Sequence, residues 1–243
     1  MEFDNMLYLR EISLKSMPTD YTARLPVVRT LQEHPLVLHQ PVTFFVGENG
    51  TGKSTLLEAI AVAAGFHAEG GTRNFDFSTC DDYSALFSHL QIIRGVARPK
   101  DGFFLRAESF WNVAGYLDEI GEYLKYYGGK SLHAQSHGES FLSVMQNRFV
   151  GNGLYILDEP EAALSPQRIF ALIRLIYELV GQHSQFLIAT HSPILTAFPN
   201  AEILELDEHG FRQVNYQDTE NYRITKQFLD NPAQMLHHLL RDD

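Results

Sequence analysis

Nine consecutive residues, Gly47-Glu48-Asn49-Gly50-Thr51-Gly52-Lys53-Ser54-Thr55, satisfy the pattern G-x-x-x-x-G-K-[ST]. Gly47, Gly50 and Gly52 let the backbone wrap closely around an anion, so that main-chain N–H groups converge on it. Lys53 adds a mobile positive charge, and Ser54 offers a hydroxyl to a hard cation such as magnesium. This is phosphate-binding chemistry, and the pattern makes Asn49, Gly50, Thr51, Gly52, Lys53, Ser54 and Thr55 the expected contacts of a nucleotide and its Mg2+.

Three further segments carry polar groups suited to the same chemistry. Residues 154–160, LYILDEP, end a buried run in two acids. Asp158 is placed to orient magnesium through water, and Glu159 to polarise an attacking water as general base. Residues 186–193, FLIATHSP, place His191 after the next apolar run, 32 residues beyond Glu159. An imidazole there can hydrogen-bond a terminal phosphate and the attacking water. Residues 136–140, SHGES, open a helix with Ser136 and Gly138 at its N-terminus, a second anion site by the helix-dipole argument. Because one phosphate loop already surrounds its own nucleotide, the second site is expected to receive a phosphate held by another molecule.

These groups need a scaffold that brings them to one edge. The runs VTFFV (42–46), FFL (103–105), LYIL (154–157) and FLIA (186–189) suit strands covered on both faces. Helical stripes lie between them: Leu56, Leu57, Ile60, Ala61 and Ala64 over 53–64; Phe110, Val113, Ala114, Leu117, Ile120 and Leu124 over 109–124; Phe141, Leu142, Met145 and Phe149 after Gly138. Over 166–180 the stripe is Ile169, Phe170, Ile173, Ile176, Tyr177 and Val180, with Ser165 as N-cap and Gly181 as stop. Strand and helix in alternation predict an α/β fold with a largely parallel sheet. A right-handed crossover then sets His191 beside Glu159. Alternation in residues 6–15 suits a strand near a sheet edge, and 65–100 reads as a surface excursion with one short helix, on which Gln91 falls.

The chain has 243 residues, 44% hydrophobic, with 19 basic and 30 acidic side chains, a net charge of −11 and one cysteine. This composition excludes disorder, collagen-like repeats and a disulfide scaffold. No apolar stretch reaches the length of a membrane span and the first residues do not resemble a secretory leader, so a cytoplasmic protein without membrane insertion is expected. The acidic balance gives no bulk attraction to nucleic acid, although a local groove would survive that average. Arg94, Arg98, Lys100 and Arg106 form such a candidate, with a solvated face as the plainer reading.

Taken in order and spacing, GENGTGKST, SHGES, LYILDEP, EAALSPQ and ATHSP resemble the ATP-binding-cassette (ABC) class of P-loop ATPases, and within it the soluble SMC and RecF-like enzymes often described as AAA-family ATPases. The resemblance spans nearly the whole chain. It implies a single ABC-type domain over 1–243: a nucleotide-binding core from 1–107 and 151–243, and a helical signature subregion over 108–150. The central sheet would be mostly parallel, flanked by helices, with an antiparallel edge. It further implies ATP and Mg2+ as cofactors, Walker A contacts at Lys53, Ser54 and Thr55, a Walker B pair at Asp158 and Glu159, and a switch histidine at His191. Residues 162–167, AALSPQ, would form the D-loop between protomers, and Ser136, Gly138 and Glu139 would face the partner's γ-phosphate.

The sequence departs from that pattern in two places. The usual LSGGQ signature is QSHGE here, and the glutamine expected after strand GFFLRA is replaced by Glu108, a candidate for magnesium or its water. Tyr21, with Tyr8 and Arg10 as alternatives, is the candidate adenine contact. Function is therefore expected to be ATP hydrolysis by an ATP-dependent homodimer, or a dimer with a related subunit, that drives an effector protein. The alternatives are an energising subunit of a transporter, a switch in a DNA-associated or defence complex, and a small-molecule phosphoryl transferase. Ser136 follows Glu108 by 28 positions, which leaves no room for a coiled-coil arm.

Overall fold

The computed structural model describes residues 7–68, 70–72, 84–107, 110 and 137–241. Glu108, Ser136 and, apart from Phe110, the helix expected over 109–124 lie outside the described residues.

A six-stranded sheet forms the centre, built from β3 (Val42–Gly47), β5 (Asp101–Arg106), β6 (Gly153–Asp158), β7 (Gln185–Ala189), β8 (Glu202–Asp207) and β9 (Gly210–Gln213). Its order is β5-β6-β7-β3-β8-β9. All neighbours are parallel except β8 and β9, which form an antiparallel edge. The four apolar runs are therefore adjacent strands, and each is covered on both faces. Side-chain alternation divides them between two cores. Phe44, Phe103, Tyr155, Leu157, Phe186 and Ile188 pack on one face with α4 (His137–Arg148) and α5 (Pro166–Gly181). Phe45, Phe104, Ile156, Leu187 and Leu204 pack on the other with α1 (Pro26–Glu33) and α2 (Lys53–Ala64).

A second, antiparallel sheet lies on the α2 side, in the order β2-β1-β4, from β1 (Leu9–Leu14), β2 (Leu36–Val37) and β4 (Leu90–Arg94). Gln185 ties β1 to the central sheet: its Oε1 accepts from the N–H groups of Tyr8 and Leu9, and its Nε2 donates to the Leu9 carbonyl, each at 2.9 Å. These bonds satisfy the buried amide of a strand-end glutamine.

Four expectations require correction. First, β1 is central in its sheet, and a register shift between Leu9 and Glu11 breaks the simple alternation, so Leu9 and Ile12 are both buried. Second, the segment before residue 100 is more than a surface excursion: α3 (Leu86–His89) leads into β4, and Leu86 and Leu90 are buried. Gln91 therefore sits on a strand. Third, α5 turns Leu172 and Leu179 inward with Ile169 and Ile176, leaving Phe170 and Tyr177 exposed. Fourth, Tyr8 is buried, and its hydroxyl donates to the His183 carbonyl at 2.7 Å, which removes it as a base contact.

The chain continues into two amphipathic helices, α6 (Glu220–Asp230) and α7 (Pro232–Leu239). Among the described residues no helix is long and apolar enough to cross a membrane.

Candidate functional site

The carboxyl ends of β3, β6 and β7 face one edge of the sheet, where open α/β folds bind ligands. At β3, Gly47 passes so close to β8 that a Cβ would stand 2.1 Å from the Leu206 carbonyl oxygen. Only glycine permits this approach. Gly52 is left-handed, with φ of 95°, and forms the N-cap of α2. The loop thus delivers its N–H groups and the positive helix end to one hollow.

Lys53 lies largely buried behind the loop. Its Nζ donates to the carbonyls of Gly47 and Glu48 at 2.8 and 2.7 Å. Desolvation lowers its pKa, while Glu159, Asp158 and Glu161 pull in the opposite direction. Asn49, Gly50 and Thr51 line a hollow of about 660 Å3 shared with Pro26 and the β8–β9 edge. Thr51 closes the loop by donating to the Glu48 carbonyl at 2.8 Å, and Thr55 is half-buried in the first turn of α2.

The Ser54 hydroxyl donates to Asp158 Oδ1 at 3.0 Å, joining the start of α2 to the end of β6. Burial raises the Asp158 carboxyl, and Arg106 and Ser54 hold it back toward the ionised form. A hard-oxygen pair of this kind suits Mg2+, which characteristically takes one or two protein ligands and completes its shell with water and phosphate. Among the described residues no cluster of three or more His, Cys, Asp or Glu could hold a metal alone.

Glu159 follows directly, in the left-handed region at φ 50°, a strained conformation for a side-chain-bearing residue and one that recurs at working sites. Its N–H donates to the Ala189 carbonyl at 2.9 Å, and a 3₁₀ turn, Pro160–Ala163, starts from it. His191 Nε2 stands 3.6 Å from Glu159 Oε1. The crossover through α5 has brought the two together as the spacing predicted. Burial and Lys53 lower the His191 pKa and favour the neutral ring, while Glu159 pulls the other way. Asn221 Nδ2 at the start of α6 donates to the His191 carbonyl at 3.1 Å, and the His191 N–H donates to Glu161 Oε1.

Gly138 is buried against the 3₁₀ turn, where a Cβ would meet the Ala163 carbonyl oxygen at 2.7 Å and Arg168 Nη1 at 2.5 Å. Glu139 turns to Arg168, 3.0 Å away. That ion pair turns the Glu139 carboxylate toward a cation on α5. Tyr21 is 61% exposed on a 3₁₀ turn, Tyr21–Arg24, that leads to Leu25 and Val27 beside Gly52.

Sequence reasoning missed two participants. Arg106, grouped with the exposed Arg94, Arg98 and Lys100, instead faces Asp158 and Glu58. Its place at the end of a buried strand, like that of Asp158, was the available signal. Glu161, two residues beyond Glu159, receives the backbone of His191, and burial raises its carboxyl.

Two AAA-domain family models match parts of the chain. One, described as "AAA domain, putative AbiEii toxin, Type IV TA system", covers residues 138–197; the other, "AAA domain", covers 28–93. They take in the phosphate loop, Gly138, Asp158, Glu159 and His191. Two separate stretches of this chain are thus similar to AAA domains. Solved structures similar to this chain include an SMC head domain from Thermotoga maritima, at 14% identity over 86% of this chain and 98% of that one, with a TM-score of 0.45. Another is cbiO1 from Clostridium perfringens, titled as part of the ABC transporter complex cbiONQ, at 17% identity over 96% and 99% of the two chains, TM-score 0.49. No curated protein matches the chain significantly in sequence.

Proposed function

We propose that the chain binds MgATP between two copies of itself, hydrolyses it, and uses the resulting opening and closing to drive or switch an effector protein in the cytoplasm. The observation that carries this reading is the convergence, before one phosphate loop, of Ser54 with Asp158 at 3.0 Å and of Glu159 with His191 at 3.6 Å. Lys53 and the N–H groups of residues 49–55 hold the phosphates. Ser54 and Asp158 would hold magnesium, which supplies charge neutralisation on the phosphate oxygens. The Glu159 carboxylate takes the proton of the attacking water, and neutral His191 accepts a hydrogen bond from that water or donates one to the terminal phosphate, depending on its tautomer. Gly138, with Ser136 and Glu139, presents its helix N-terminus to the phosphate bound by the other copy; Glu108 remains a candidate on the magnesium side.

Phosphate release from ATP without an added acceptor tests the reaction. Glu159→Gln is expected to retain ATP binding and to slow release by about 100-fold or more; wild-type turnover in that variant would remove Glu159 as the base. A switch in a defence complex shares this site and is favoured by the description of the family matching residues 138–197, which names a putative toxin. The net charge of −11 gives nucleic acid no general attraction, so a protein effector is preferred. Stimulation of phosphate release by DNA would reverse that preference.

A further inference from the structure

Arg106 is the last residue of β5 and stands directly opposite Asp158 in the parallel register with β6. Its Nε donates to Asp158 Oδ2 at 3.1 Å, and its Nη1 to Glu58 Oε2 at 2.8 Å. Glu58 is one turn beyond Ser54 on α2, so the two acids and the Ser54 hydroxyl surround the guanidinium from β6 and α2. The side chains of Asp158 and Glu58 are only 4% and 11% exposed, and that of Arg106 22%. Arginine does not lose its proton in a protein, so this cation is permanent. Both Asp158 oxygens are engaged, Oδ1 by Ser54 and Oδ2 by Arg106.

We infer that Arg106 is the resident counter-cation of the magnesium site, balancing Asp158 and Glu58 so that a divalent cation enters only together with nucleotide phosphates. The inference rests on the MgATP reading above and adds the order of binding to it. Without Arg106, Asp158 and Glu58 would lose the ion pairs that join them, leaving two buried carboxylates near the Ser54 hydroxyl, a hard-oxygen site with its own affinity for a divalent ion. With Arg106 in place, the cation must displace or share a buried ion pair, and the phosphates supply the charge that makes this favourable. Glu58 gives the guanidinium a second acceptor, so its charge stays compensated when Asp158 turns to a metal-bound water. Arg106 is thus a positioning residue that acts through Asp158.

The test uses Mn2+ alone, without nucleotide, on the full chain. Wild type should bind Mn2+ weakly, whereas Arg106→Gln and Arg106→Ala should bind it at least tenfold more tightly by electron paramagnetic resonance titration. The melting temperature of these variants should rise with added Mn2+ or Mg2+, while that of wild type should not respond. Arg106→Lys, which keeps the charge and guards against a misfolded neutral variant, should bind Mn2+ as weakly as wild type. Equal Mn2+ affinity in wild type and Arg106→Gln, or tight Mn2+ binding by wild type, would overturn the inference. Separate titration of wild type with fluorescent MgATP tells the two failures apart. Normal MgATP uptake with indifferent Arg106 variants defeats this inference alone, whereas no uptake defeats the nucleotide reading as well.

Discussion

The phosphate loop and the start of α4 are both helix N-termini that depend on glycine, yet they are built to different degrees of completeness. The loop encloses its own hollow and keeps Lys53 buried behind it, bonded to the carbonyls of Gly47 and Glu48. At α4 the helix end rests on the 3₁₀ turn after Glu159, Gly138 fills the contact, and the neighbouring Arg168 is paired with Glu139. A helix dipole with a dedicated lysine can capture an anion by itself; a dipole whose neighbouring charges cancel serves an anion already positioned by something else. This difference supports the proposal that the loop captures the nucleotide and α4 senses a phosphate held by a second chain.

The strongest way to break that contrast is at the loop. Lys53→Ala should weaken ATP binding by about 100-fold or more, since it removes a charge-assisted hydrogen bond in a desolvated hollow. Equilibrium binding of a fluorescent ATP analogue measures it. Gly138→Ala should leave that binding intact and cut hydrolysis. The added Cβ would press on the Ala163 carbonyl oxygen, and overpacking of this kind costs about 1–3 kcal/mol, here against a turn that begins at Glu159. Equal loss of ATP affinity in the two variants would erase the distinction.

Glu139→Gln should change hydrolysis only a few-fold, because the Arg168 pair it breaks is largely exposed and such pairs contribute about 1 kcal/mol or less. The smallest effect is expected at Glu161. Its carboxyl is raised from the ordinary value of 4.5 by burial, so the folded state binds its proton more tightly than the unfolded chain. Ionising Glu161 therefore costs stability as pH rises through the window above 4.5, and the cost vanishes below it. Glu161→Gln keeps an acceptor for the His191 N–H without the charge. Its melting temperature relative to wild type should climb as pH is raised from the acid side to neutrality; a constant difference would contradict the assignment.

Much of this site was legible in the sequence because short-range patterns control it. Glycine spacing, a buried strand and a helical stripe locate the loop, and the strand ending in Asp158 and the single helix before His191 place both at the same edge. What was not legible depends on register and on choice of face. Arg106 looks like its exposed neighbours until β5 is aligned with β6, which sets it against Asp158. In α5, apolar residues occur almost all round the helix, so periodicity could not decide that Phe170 and Tyr177 face outward. In β1, a one-residue shift between Leu9 and Glu11 moves the buried positions three apart and defeats a period of two. Gln91 reads as helical in the sequence because a four-residue helix, α3, gives way at once to β4.

The most direct test of the account is the solution mass of the Glu159→Gln variant by light scattering, with and without MgATP. The account predicts a monomer that doubles in mass when MgATP is added, with the doubling lost in a Glu159→Gln, Gly138→Ala double variant. A Glu159→Gln protein that binds MgATP and stays a monomer would contradict the paired-chain site.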